Sequence, residues 1–138
     1  MSKKILIVED EDIIREVLCS WLEEADYQTL TASNGLKGLE AIHEHDPDLI
    51  VADIMMPQLD GIELCRLTRE TSGTPILLLT GLGGEEHRKA GYQVGATDYL
   101  VKPVDMEDFL TKVSNLLQQE HLSPTPAISA FTKANTAR

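Results

Sequence analysis

Glu9 and Asp10, Asp53, Thr80 and Lys102 each stand directly behind a short apolar run of this 138-residue chain. Three carboxylates, a hydroxyl and an ammonium are the parts of a site that handles a charged, oxygen-rich group. Carboxylates drawn into one pocket repel: two like charges 4 Å apart cost about 4 kcal/mol at an effective dielectric near 20. One of them must take up a proton, or a cation must sit among them. Hard oxygen ligands with positions left for water suit Mg²⁺. With a cation on Glu9 and Asp10, Asp53 is placed to attack a phosphoryl group in line and become an acyl phosphate. Lys102 would pair with one phosphoryl oxygen and Thr80 would hydrogen-bond another. Positioning and charge supply most of such a reaction.

Whether these residues meet depends on the elements that carry them. The apolar runs fall at 5–8, 28–32, 49–52, 76–79 and 99–101, and helical patterns lie between them. Three of the runs, ILIV, LIVA and ILLL, are apolar at every position, as strands buried on both faces are. Strictly alternating strands and helices imply parallel pairing, right-handed crossovers and a doubly wound α/β sheet. The fold expected is a flavodoxin-like (βα)5 with strand order 2-1-3-4-5. All strands then end on one edge, strands 1 and 3 are neighbours, and the crevice opens between their ends.

Helical spacing is read as follows. Ile13, Ile14, Val17, Leu18, Trp21 and Leu22 form the first apolar stripe, with Asp12 as its N-cap. Leu36, Leu39 and Ile42 form the second, which Pro47 stops. The third helix starts near Gly61 with Ile62 and Cys65 on one face. The last starts at an Asp105 cap and buries Met106, Phe109, Leu110, Val113, Leu116 and Leu117. Residues 81–95 hold Gly81, Gly83, Gly84, Gly91 and Gly95. A helix-interior glycine costs about 1 kcal/mol relative to alanine, so this is the weakest helix expected. It is either a loose surface segment or one that moves. Periodicity ends near Leu122, which leaves 1–121 as one domain and 122–138 as a flexible tail or the start of a linker.

Composition bounds the function. Twelve basic against 23 acidic residues give a net charge of −11, which repels nucleic acid and acidic lipid. No apolar run is long enough to cross a membrane or form a signal-peptide core, so a cytoplasmic protein is expected. Cys19 and Cys65 form no CxxC and read as packed thiols. His43, His45, His87 and His121 read as surface residues. The glycines after Thr80 fail as a nucleotide loop, because Glu86 stands where a third glycine is needed.

The segments ILIVED, PDLIVADIMMPQLDG, PILLLTG and GATDYLVKP resemble the response-regulator receiver domain of two-component signalling over residues 3–120. The resemblance implies that Asp53 is the phosphorylated residue and that Glu9 and Asp10 are the acidic metal pair. It implies that Met55 offers its backbone carbonyl to the Mg²⁺ ion, and that Thr80 and Lys102 sense the phosphoryl group. Tyr99 matches an aromatic that swings inward with Thr80, remodelling the face of the fourth and fifth helices and last strand. The Lys102–Pro103 bond matches one that is usually cis. The implied donor is a phosphohistidine on a sensor kinase or phosphotransfer protein. The implied output is a downstream effector or a C-terminal output domain.

Departures from the family pattern refine this picture. Glu9 replaces the commoner Asp and keeps an acid; Gly81 replaces the commoner Ala and opens space. Met55 and Leu82 are apolar where the attacking water would be flanked, which implies a long-lived phosphoryl state. The last helix carries a single basic residue, Lys112, which argues against pairing through that helix and against a winged-helix output; the chain is also short for one. Two other readings stay open. One is an unphosphorylated receiver-like scaffold. The other is a Mg²⁺-dependent aspartyl phosphatase, disfavoured because Met55 stands where such enzymes carry a second Asp. On the receiver reading the chain is no enzyme beyond its own phosphorylation and slow dephosphorylation.

Overall fold

The computed structural model describes residues 2–81 and 85–118. Leu82, Gly83, Gly84, His121 and the expected tail lie outside these residues. Five strands and five helices alternate strictly: β1 Lys4–Val8, α1 Asp12–Glu24, β2 Gln28–Ala32, α2 Gly35–His45, β3 Leu49–Asp53, α3 Gly61–Arg69, β4 Ile76–Thr80, α4 Glu85–Gln93, β5 Asp98–Val101 and α5 Met106–Gln118. The sheet is parallel throughout, in the order β2-β1-β3-β4-β5 expected from the pattern.

The apolar runs become strands because both faces are covered. Successive side chains of a strand point to opposite faces. Leu6, Val8, Ile50, Ala52, Ile76 and Leu78 therefore join a core with Ile42, Leu64 and Cys65 from α2 and α3. Ile5, Ile7, Leu49, Val51, Leu77 and Leu79 join a second core with Leu18 and Leu22 of α1 and Phe109, Val113 and Leu116 of α5. A slip of one residue would exchange the two sets, so each face reinforces the register. β5 lies at the sheet edge and is only half-buried along Asp98–Leu100.

Several local expectations are corrected. The N-cap of α1 is Glu11, not Asp12; Asp12 lies inside the first turn and pairs with Arg15. The apolar stripe of α1 is wider than its buried face: Leu18 and Leu22 are buried, while Ile13 is 76% exposed and Val17 39%. Leu36 and Met106 are likewise exposed in the first turns of α2 and α5. Buried Gly35 and Gly38 take the inward positions of α2 instead. That helix ends as expected before Pro47, with Asp46 in the left-handed region at φ 47°. Asp105 does cap the last helix, its Oδ2 accepting from the Asp108 N–H at 3.1 Å. Cys65 is buried and Cys19 half-buried. No helix among the described residues is long and apolar enough to cross a membrane.

Two glycines bracket the edge where the site lies. A Cβ on Gly61 would sit 2.5 Å from the Asp53 carbonyl oxygen and 2.9 Å from Ile54 Cα, so α3 starts against the bare backbone of β3. A Cβ on Gly81 would meet no atom of the described residues within 4 Å. Gly61→Ala should therefore lower stability by about 1–3 kcal/mol, because backbone rather than a flexible side chain must give way. Gly81→Ala should stay within about 0.5 kcal/mol of the parent. Urea unfolding followed by circular dichroism checks both; equal midpoints for the two variants would contradict the packing described.

Candidate functional site

The C-terminal ends of β1 and β3 are neighbours in the sheet, with Val8 paired to Ala52. Glu9 and Asp10 follow β1 and Asp53 ends β3, so parallel pairing alone brings the acids together. One carboxylate oxygen from each of Glu9, Asp10 and Asp53 lies within 4.8 Å of the others. Glu9 is fully buried, Asp53 nearly so, and Asp10 exposed. The cluster is thus a pocket with a closed floor and an open side.

The backbone fixes these acids. The Glu9 N–H donates to the Ala32 carbonyl at 3.1 Å, and the Glu9 carbonyl accepts from Arg15 Nη1 at 2.7 Å. Glu9 Oε2 accepts from the Glu11 N–H at 3.2 Å, and Asp53 Oδ1 from the Met55 N–H at 3.2 Å. Met55 itself is exposed, its side chain turned away from the core.

Lys102 follows β5 and spans the gap. Its N–H donates to the Thr80 carbonyl at 2.7 Å, which extends the β4–β5 pairing past the strand end. Its Nζ reaches Asp53 Oδ2 at 2.9 Å and Glu9 Oε1 at 3.2 Å, with Glu11 Oε1 at 3.9 Å. The peptide bond from Lys102 to Pro103 is cis, as expected. Thr80 ends β4 fully shielded, its hydroxyl donating weakly to the Gly81 carbonyl at 3.4 Å.

The charges are not balanced. Burial pushes the Glu9 carboxyl up to about 7, opposed by the Glu11 N–H, raised further by the Asp53 charge and lowered by Lys102. Burial pulls Lys102 down, but its hydrogen bond and attraction to Asp53, and then Glu9, outweigh that and raise it. One ammonium among these acids leaves a net negative pocket of hard oxygens, which fits a hard divalent cation that retains water ligands.

Tyr99 lies on β5, half-buried, away from the acids. Its ring packs edge-on to Tyr92 of α4 at 5.7 Å between centroids, and the Arg88 guanidinium sits 4.6 Å from its ring centroid. Arg88 also donates to the Tyr99 hydroxyl and pairs with Glu85. Lys112 of α5 reaches Asp98 of β5 at 2.7 Å. The fourth and fifth helices and last strand thus form one joined face.

All seven residues singled out in the sequence have defined places: Glu9, Asp10, Asp53 and Lys102 converge, Met55 and Thr80 flank them, and Tyr99 stands apart. Two neighbours of the site were missed. Glu11 was hidden by placing the helix cap one residue late. Arg15 follows Glu11 by four positions, one helical turn, and that spacing was the available signal.

The model of the response regulator receiver domain matches residues 5–114. The transcriptional regulatory protein SrrA of Staphylococcus aureus is 40% identical over 119 residues, which cover 86% of this chain and 49% of that protein. The chain thus spans about half the length of the curated relatives it matches. Among solved structures, a response regulator of Chloroflexus aurantiacus is 34% identical with a TM-score of 0.83, covering 86% of this chain and 100% of that one. Chemotaxis protein CheY4 of Vibrio cholerae is 34% identical with a TM-score of 0.80, covering 84% and 99%. By sequence and by fold, this chain belongs to the response regulator receiver domain family of two-component signalling.

Proposed function

We propose that the domain is a phosphorylation-dependent switch in which Asp53 accepts a phosphoryl group from a phosphohistidine on a sensor kinase or phosphotransfer protein. The observation that carries this reading is the Lys102 ammonium bridging Asp53 and Glu9 within a cluster of three acids. A nucleophilic carboxylate, a cation site and a counter-charge for phosphoryl oxygens meet there, contributed by the ends of β1, β3 and β5.

Glu9, Asp10 and Asp53 would hold Mg²⁺, with the Met55 carbonyl as a further ligand. When bound, the ion neutralises charge on the phosphoryl oxygens and lowers the cost of bringing them to the acids. Asp53 uses its free oxygen lone pair to form the new P–O bond, while the donor's P–N bond breaks and its pair returns to nitrogen. Lys102 exchanges its contact with Asp53 for one with a phosphoryl oxygen. Thr80 turns its weakly held hydroxyl from the Gly81 carbonyl toward another. Vacating that space leaves room for Tyr99 to move inward, away from Arg88. The changed face of α4, β5 and α5 is then read by a downstream effector or output domain. With the acids facing any approaching anion, neither nucleic acid nor an acidic membrane is a direct ligand of the domain itself. The setting for this exchange is the cytoplasm.

The protein donor has a surface to use. Ile13, Ile14, Val17 and Trp21 of α1, with Pro103 and Val104, line a groove of about 410 Å³ that borders Lys102. The groove is apolar and adjoins Lys102, whose ammonium contacts Asp53, so a protein phosphodonor is the occupant proposed.

Three outcomes are expected. With acetyl phosphate and Mg²⁺, intact-mass spectrometry should find one added phosphoryl group on the wild type and none on Asp53→Asn; labelling of that variant would end the reading. Ile13→Asp should cut labelling by a phosphorylated histidine phosphotransfer protein about tenfold or more, while acetyl phosphate labelling stays within about twofold. Once formed, the acyl phosphate should persist without a phosphatase, and Met55→Asn should shorten its life severalfold by offering a carboxamide to hold water. A wild-type phosphoryl state that decays as fast as the variant's would refute the role of Met55.

A further inference from the structure

We infer that Glu11 sets which phosphoryl donors the site accepts, favouring N-phosphoryl donors that carry a compensating positive charge over acyl-phosphate dianions. The inference rests on Asp53 as the phosphoryl acceptor and adds a selectivity to it.

Glu11 occupies the N-cap position of α1 in an extended conformation, φ −86° and ψ 119°. A polar side chain at this position ordinarily accepts a hydrogen bond from the first helical turn. Glu11 makes no such bond. Its Oε1 lies instead 3.9 Å from Lys102 Nζ, on the same ammonium that contacts Asp53 and Glu9. Its N–H is tied to Glu9 Oε2, which anchors the loop to the acids below, while its carboxylate is 64% exposed at the rim.

Glu11 stands outside the three acids whose oxygens converge. A divalent cation held by those three would, together with the Lys102 ammonium, offset their charge and leave the Glu11 carboxylate as a surplus negative charge at the rim. On the opposite side, Gly81 presents no steric barrier among the described residues. Glu11 thus discriminates between small donors by charge.

The donors differ where that charge acts. In phosphoramidate the nitrogen is protonated; Asp53 forms the P–O bond, the P–N bond breaks, and neutral ammonia leaves with the electron pair. In acetyl phosphate the P–O bond to the acyl group breaks, and acetate leaves with the pair as an anion. Glu11 attracts the first donor's cationic nitrogen and repels the second donor and its leaving group.

The test compares wild type and Glu11→Gln at saturating Mg²⁺, with acetyl phosphate and with phosphoramidate, following phosphoryl gain at Asp53 by mass spectrometry. The ratio of the acetyl phosphate rate to the phosphoramidate rate should rise about threefold or more in the variant, the size expected of one exposed charge pair. Added salt should shift the wild-type ratio in the same direction by screening the rim, a measurement that needs no variant. A ratio unmoved by both the substitution and salt overturns the inference while leaving Asp53 as acceptor. Failure of both donors to label wild-type Asp53 overturns the acceptor reading and the inference with it.

Discussion

The edge on which β1, β3, β4 and β5 end gathers more negative charge than its one bridging lysine can neutralise, and the rest of the molecule is arranged to hold that imbalance in place. A fully buried carboxylate such as Glu9 is costly unless it is hydrogen-bonded and paired. Here the Glu11 N–H and Lys102 supply both partners. They offset the cost only in part, which is why the Glu9 carboxyl sits near 7 rather than in the usual carboxylate range. Such a pocket is poised to gain from an added cation, and from an added anion only once that cation is present.

Holding like charges a few ångströms apart requires a frame that does not yield. The parallel sheet supplies one because each central strand is buried on both faces and its alternate side chains lock into different cores. β1, β3 and β4 have nowhere to slide, so the acids at their ends cannot separate to relieve their repulsion. The glycines sharpen this: α3 begins against the Asp53 carbonyl at Gly61, and α2 crosses Val8 at Gly38, where larger residues would push the helices off the strands.

The sequence disclosed most of this frame because its signals were local and redundant. Runs such as ILIV and ILLL admit few structures other than two-sided strands, and strict alternation with helices leaves few topologies. The acids and Lys102 then follow from where those strands end. What stayed hidden depended on side-chain direction. Ile13 and Val17 share helical spacing with Leu18 and Leu22, and spacing cannot tell a core face from an exposed flank when no neighbour covers the flank. Arg15 and Glu11 reach the site through a carbonyl and a lysine, contacts that carry no motif. Arg88 over Tyr99 depends on how α4 lies across β5, which no pattern in a glycine-bearing nine-residue helix records.

The helices differ in how firmly the sheet holds them, and this bears on which way a change at Asp53 would travel. α5 buries Phe109, Val113 and Leu116, and α1 buries Leu18 and Leu22 with Trp21 packed on Phe109 at 6.0 Å. α4 buries only Gly91 among its described residues. Its other ties lie at the half-exposed surface: Arg88 to Tyr99, Tyr92 edge-on to the Tyr99 ring at 5.7 Å, and Tyr92 to Asp98 at 3.4 Å. Displacing α1 or α5 would open apolar surface to water, at about 25 cal/mol for each Å². Displacing α4 exchanges protein hydrogen bonds for water at far smaller net cost. A disturbance entering at the acids through Thr80 thus meets a stiff wall on one side of β4 and a loosely held helix on the other. The weakest helix in the sequence is the one beside the aromatic best placed to move.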